Sequence, residues 1–296
     1  MSDFQIFTDG SADIPLKIAE EKGIKIIPFY ISFDSVHYYK ELFEMSREDF
    51  FTNLIDKKFF PKTSLPSVQD FIDAFTPALE EGKDVICFCI TDTLSGAYHS
   101  ALSAKEILEE KYTENKIYVI NSWTATGAAQ LMIFETCRMR DNGLSAEKAF
   151  EICEKMKKET RIMFMVGALT HLEKGGRIGK LAALSGGILK IKPLIELKNG
   201  EINVAGAVRS RKNGIKKLVL ITNDYFEKNK QNPKEYIFTV GTTNTPDEVP
   251  VFTSELENTL PSINFLAPFQ IGATIAAHTG PDTIGVCFVK KYEYYI

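Results

Sequence analysis

The feature that most constrains this chain is an alternation in its first half. Short apolar runs of strand length at residues 4–8, 25–31, 84–90 and 116–120 are interleaved with helix-like stretches at 15–22, 47–57, 67–79, 95–111 and 124–140. Strands joined through helices run parallel, so this order predicts a parallel sheet covered by helices, with the ligand crevice at the carboxyl ends of the strands. Near residues 159–170 the pattern changes, as a polar helix at 146–158 gives way to the apolar run 162–169. A boundary is expected there, giving domains 1–160 and 161–296, and two domains suit a chain of this length. Downstream, Gly175-Gly176-Arg177 reads as the start of a helix running to about residue 190, and Asn199-Gly200 as a two-residue hairpin turn. A helix is expected from Arg211, then strands at 235–241 and 283–289 flanking a helix at 249–260, so the second domain is also mixed α and β.

Composition narrows the class. With 44% hydrophobic and 25% charged residues the chain is an ordinary globular protein. The first nine residues carry no basic start or long apolar run, so a cytoplasmic protein is expected. The longest apolar stretches, 85–90 and 162–169, fall far short of the roughly 20 residues of a membrane span, and no membrane insertion is expected. The five cysteines form no C-x-x-C pair; Cys87 and Cys89 would share one face of a strand, which suits buried thiols, and no metal is expected. The net charge of −4 conceals a local +9 between residues 174 and 217, leaving −13 elsewhere. A solvated basic face and a surface for a phosphate-bearing or acidic partner both fit that segment.

Three strand-to-helix junctions in the first half are rich in hydroxyls where a helix should start: Thr8-Asp9-Gly10-Ser11-Ala12-Asp13, Thr91-Asp92-Thr93-Leu94-Ser95-Gly96 and Asn121-Ser122-Trp123-Thr124-Ala125-Thr126. A fourth, Lys62-Thr63-Ser64-Leu65-Pro66-Ser67, precedes the helix through Phe71. Helix N-termini offer unpaired N–H donors and a partial positive charge, so a carboxylate or phosphate can be held there without a buried cation. Ordinary capping explains any one junction; several together point to an anion.

Seven segments in order then resemble the DegV family. Thr8-Asp9-Gly10-Ser11-Ala12-Asp13-Ile14-Pro15 is similar to T-D-S-T-x-D-L-P, Lys62-Thr63-Ser64-Leu65-Pro66-Ser67 to K-T-S-Q-P-S, and Leu94-Ser95-Gly96-Ala97-Tyr98-His99-Ser100-Ala101 to L-S-G-T-Y-Q-S-A. Leu172-Glu173-Lys174-Gly175-Gly176-Arg177-Ile178 resembles L-x-K-G-G-R-I, Ile191-Lys192-Pro193 resembles I-K-P, Val208-Arg209-Ser210-Arg211-Lys212 resembles V-R-T-R-K, and His278-Thr279-Gly280-Pro281 matches H-x-G-P. Gly10, Leu65, Asp282 and the aromatic-rich stretch 29–43 depart from the family pattern, so an altered ligand preference is expected.

The resemblance implies an α/β, two-domain DegV-like fold: an N-terminal parallel-sheet, Rossmann-like domain that holds the lipid head group, a C-terminal mixed α/β domain, and one long-chain fatty acid between them. The carboxylate would be held by Thr63, Ser64 and Ser95, with Gly96, Ser122 and His278 completing the ligand-binding set. Arg177 and His278 are the candidates for a role in phosphorylating that carboxylate. The implied partner is an ATP-dependent fatty acid kinase subunit that feeds acyl phosphate to phospholipid synthesis; the protein would be a non-catalytic carrier, with no cofactor beyond its ligand. The apolar helical spacing of Ile178, Leu181, Leu184, Ile188 and Leu189 suggests a tunnel wall, or plain core packing.

Other classes fit less well. An aspartate-nucleophile phosphatase using Asp9 would want a second acid where Ser11 stands, and Gly175-Gly176-Arg177-Ile178-Gly179-Lys180-Leu181 lacks the spacing and the hydroxyl of a P-loop. Ser95 with His99 or His278 lacks the G-x-S-x-G elbow of a hydrolase. Nucleic-acid binding through residues 174–217 lacks aromatics for stacking, and docking of an ATP-carrying kinase fits the same charge.

Overall fold

A computed structural model describes residues 4–185 and 191–296, without the side chains at 184–185. The first half forms a four-stranded parallel sheet in the order Ile24–Ile27, Phe4–Asp9, Asp84–Cys89, Ile117–Asn121. The chain reverses direction across this sheet between Phe4–Asp9 and Asp84–Cys89, which opens a crevice beyond their carboxyl ends. The expected strand 25–31 is two strands. Pro28 has no N–H to give a ladder, so Ile24–Ile27 stays in the parallel sheet while Tyr30–Ser32 joins a small antiparallel sheet with Tyr39–Lys40 and Lys62–Ser64. The Lys62-Thr63-Ser64 segment is therefore a strand, with Thr63 opposite Ile31, and the helix after it begins at a capping box made by Ser67 and Asp70.

The second half builds a mainly antiparallel sheet in the order Glu201–Val208, Lys192–Lys198, Arg161–Met165, Ile284–Lys290, Tyr236–Thr242, Asn264–Phe265, with Phe269–Gln270 also pairing Tyr236–Thr242. The fold class read from the sequence holds: a parallel sheet and a mixed sheet joined by helices. Helices Thr126–Asp141 and Ala146–Glu159 lie between the two sheets and touch both. Thr126–Asp141 is buried on nearly every side, and a single apolar core runs through it from Ile6, Phe88 and Ile120 of the first sheet to Ile162, Phe164 and Cys287 of the second.

A further expectation needs correction. Gly175-Gly176 is a helix stop, not a start. Helix Thr170–Lys174 ends there, Gly176 takes φ +68°, and the Arg177 N–H bonds back to the Leu172 carbonyl, the usual way a left-handed glycine satisfies the last carbonyls. Past it come a 3-10 turn, Gly179–Leu181, and the short helix Ala182–Ser185. His278 stands in the last turn of helix Ala273–Thr279.

The Asn199-Gly200 hairpin forms as expected, with φ of 51° and 81° at its two residues. Its tip docks on the first sheet. The Gly200 carbonyl accepts from the hydroxyls of Thr91, at 3.0 Å, and Thr93, and its N–H donates to the Trp123 carbonyl at 3.1 Å. A Cβ at Gly200 would stand 2.7 Å from the Thr91 hydroxyl. Gly200→Ala should therefore lower the unfolding free energy by about 1–3 kcal/mol in urea titrations; an unchanged midpoint would show that the tip does not hold the halves together.

Candidate functional site

A cavity of about 230 Å³ lies between the two sheets. Alternate residues of the second sheet present one face to it: Ile162 and Phe164 on one strand, Gly285 and Cys287 on the next, with Leu197 and Ile202 beyond. Phe29, Leu65, Ile90 and Leu94 close it from the first half. The opposite wall is helix Ala273–Thr279 with Ile271 before it, through Thr274, Ile275, His278 and Thr279, a stripe at helical spacing.

One end of this apolar space is polar. Thr63, Ser64, Ser95, Arg177 and His278 all line it, so the structure brings together five of the residues singled out in the sequence. Thr63 Oγ1 and His278 Nε2 are 2.9 Å apart. Arg177 reaches over from the glycine stop, its Nε donating to the Leu94 carbonyl at 3.0 Å and Nη1 to that of Gly175 at 2.7 Å. Ser95 is 8% exposed and accepts the Ala97 N–H at the mouth of helix Ala97–Glu109, whereas Ser64 is exposed and marks the rim. Burial, then the Arg177 charge, then His171, push the His278 imidazole down to about 4, so it is neutral at ordinary pH. The two glycine motifs make this approach possible: a side chain at Gly175 would overlap His278 Nδ1, and one at Gly280 would press on the His171 ring at 2.7 Å.

Two of the expected ligand residues are not brought to the cavity. Ser122 is fully buried and its hydroxyl donates to the Thr124 carbonyl at 3.1 Å, tying its own turn. Gly96 sits behind the lining, where a Cβ would meet Leu65 at 3.3 Å. The hydroxyls of Thr91 and Thr93 are likewise spent on the hairpin tip. Ile178 and Leu181 belong to the core rather than the cavity wall, and the side chains of Leu184, Ile188 and Leu189 lie outside the described residues.

The sequence reading missed a buried acidic cluster at the other end of helix Ala273–Thr279. Glu41, 2% exposed, accepts the N–H of Ala273 at 2.5 Å, that of Thr274 at 3.1 Å, and the Thr274 hydroxyl. Asp13 accepts the hydroxyl of Thr126, a β-branched residue held at the rare φ of 46°. Arg47 donates to the Gln270 carbonyl at 2.9 Å and the Asp13 carbonyl at 3.0 Å. Burial lifts the Asp13 carboxyl to about 7 against the pull of Arg47, and raises Glu41 as well. Asp9, lifted by burial to about 6, accepts the N–H groups of Ser11 at 3.0 Å and Ile90 at 2.8 Å and the Ser11 hydroxyl. Its oxygens brace the crevice and are not presented to it as a nucleophile.

Among the described residues no group of three or more His, Cys, Asp or Glu is arranged to hold a metal, and no helix is long and apolar enough to cross a membrane. All five cysteines are free and buried, with Cys87 and Cys89 sulfurs 4.0 Å apart.

The family model described as "Uncharacterised protein, DegV family" matches residues 3–291. A DegV domain-containing protein of Caldanaerobacter subterraneus is 30% identical over 98% of this chain and 100% of its own, and one of Clostridium perfringens 29% identical over 97% and 99%. A stearic-acid-binding protein from Eubacterium ventriosum superposes with a TM-score of 0.92 at 36% identity, covering 98% of this chain and 99% of that one. A fatty-acid-binding DegV protein from Thermus thermophilus gives 0.87 at 27%, covering 97% and 99%.

The acidic cluster makes stability depend on pH. Where a carboxyl is raised, the native state keeps a proton that the unfolded chain has lost, so its contribution to stability falls as pH rises through the window from about 4 to about 7. His278 acts oppositely, because its lowered value makes stability rise between about 4 and 6.5. Comparing wild type with Asp13→Asn isolates one group: the stability of wild type relative to the variant should fall between about pH 4 and about pH 7. A relative stability that stays flat over that range would mean the Asp13 carboxyl is ionised in the native state throughout.

Proposed function

The chain belongs to the DegV family, and from that premise we propose that it holds one long-chain fatty acid in the cavity between its sheets and presents the carboxylate to a partner kinase, working in the cytoplasm. The observation that carries this reading is a largely apolar cavity with hydroxyls, a guanidinium and a neutral imidazole gathered at its rim. Solved relatives described as binding stearic or other fatty acids support it.

The chemistry is economical. Each methylene removed from water contributes about 0.8 kcal/mol, enough over a long chain to offset the cost of association and ordering. The carboxylate needs donors, and Thr63, Ser64 and Ser95 can supply them with Arg177 as the nearby positive charge. With its proton on Nε2, His278 donates to Thr63 Oγ1, which turns the threonine's own proton toward the ligand. In this reading residues 1–160 supply the hydroxyl donors and residues 161–296 supply Arg177, His278 and much of the apolar wall.

The protein alone is a carrier. Its ligand's carboxylate is the nucleophile, attacking the terminal phosphorus of ATP held by the kinase to give acyl phosphate and ADP, with Arg177 and His278 beside the reacting oxygen. Ser64 on the rim keeps that end within reach of a partner. The exposed Arg209, Lys212, Lys216 and Lys217 offer a basic face to the nucleotide-bearing partner. Arg211 of the same segment is committed to Glu248 and to the Asp282 carbonyl.

Protein purified under native conditions, then denatured, should release a stoichiometric fatty acid identifiable by mass spectrometry. Thr63→Ala and Ser95→Ala should each weaken retention on the order of tenfold to a hundredfold, the worth of a hydrogen bond to a charged group. An empty protein that also takes up no added fatty acid would defeat the reading.

A further inference from the structure

The cavity has a direction. His278 stands near the carboxyl end of helix Ala273–Thr279 and Thr274 near its start, about 6 Å back along the axis. If the head group is held at His278, the chain end points past Thr274 and Ile271 toward Phe269, which also lines the cavity.

Phe269 is seated in an unusual slot. It lies on the short strand Phe269–Gln270, opposite Gly241, and a side chain at either Gly241 or Gly127 would overlap its ring. Neither glycine has positive φ, so backbone conformation does not call for them; what each supplies is the space the ring fills. Cys287 closes the same corner, 3.1 Å from where a Gly127 Cβ would be. The hydroxyls that line this end are already committed, because Thr126 donates to Asp13 and Thr274 to Glu41. This end therefore suits a plain hydrocarbon terminus.

We infer that Phe269, wedged between Gly127 and Gly241, is the stop of the acyl cavity and sets the longest unsubstituted monocarboxylic acid the protein accepts. The inference rests on the ligand reading above and specifies its far end. Each methylene that gains apolar wall adds roughly fourfold in affinity, so two more carbons accommodated change preference on the order of tenfold.

The test is competition. Delipidated wild type, Phe269→Leu, Phe269→Ala and Gly127→Ala are each offered an equimolar mixture of saturated fatty acids of increasing length, and the bound fraction is read by mass spectrometry alongside a thermal melt. Phe269→Leu and Phe269→Ala should shift the bound distribution to longer chains. Gly127→Ala, which pushes the ring into the cavity and adds a good helix former, should shift it to shorter ones. Folded variants of either kind that keep the wild-type distribution overturn the role of Phe269 while leaving the ligand reading intact. A wild type that binds no acid at all defeats the ligand reading itself.

Discussion

The cavity depends on how one short helix is pinned. Ala273–Thr279 has seven residues, too few to persist alone, yet it carries Thr274 and His278 at its two ends and forms one whole wall. What holds it is a carboxylate from far away in sequence. Glu41 takes the first free N–H groups of the helix and the Thr274 hydroxyl, while Asp13 crowds the same point and Arg47 ties Gln270 to Asp13. Gly272 is the residue that lets both carboxyls in; a Cβ there would lie 2.5 Å from Asp13 and 2.6 Å from Glu41. Burial of two carboxyls beside one arginine is electrostatically expensive, which is why both are pushed above the usual carboxylate range.

At the other end of that helix the constraint is spatial. Gly175 and Gly280 come from motifs about a hundred residues apart, yet each makes room for a histidine of the other region: Gly175 for His278 and Gly280 for His171. The L-x-K-G-G-R-I and H-x-G-P segments therefore interlock. Gly176 turns the chain so that Arg177 swings back to the Leu94 carbonyl, beside Ser95. Charge, imidazole and hydroxyl meet at one rim because glycines let three backbones approach closely.

This explains what could be read from the chain alone. The parallel sheet, the hairpin at Asn199-Gly200 and the helix from Arg211 follow from local pattern, and local pattern is what a sequence displays. Gly175-Gly176 is misread as a helix start because a glycine pair marks a helix end as readily as a loop before a start; only the bond from Arg177 back to Leu172 decides it. Thr63, Ser64 and Ser95 were found as members of hydroxyl-rich junctions, but the same signal also marked Thr91, Thr93 and Ser122, whose hydroxyls serve the fold. A hydroxyl does not announce which partner it will have. Glu41 and Phe269 gave no signal, because one acts on a helix 232 residues away and the other on glycines of two separate elements.

The cavity also bears on stability. An apolar space of about 230 Å³ would, if it had to stay unfilled, cost on the order of 5 kcal/mol at the rate measured for cavities in protein cores. That approaches the whole margin of a typical domain. The cost is tolerable for a chain whose cavity is normally occupied, because a ligand bound far above its dissociation constant returns free energy to the native state. On the proposed function, the glycines that shape the space and the carboxyls that brace its wall make sense together: both keep open an apolar volume that a bound acid would fill to complete the core.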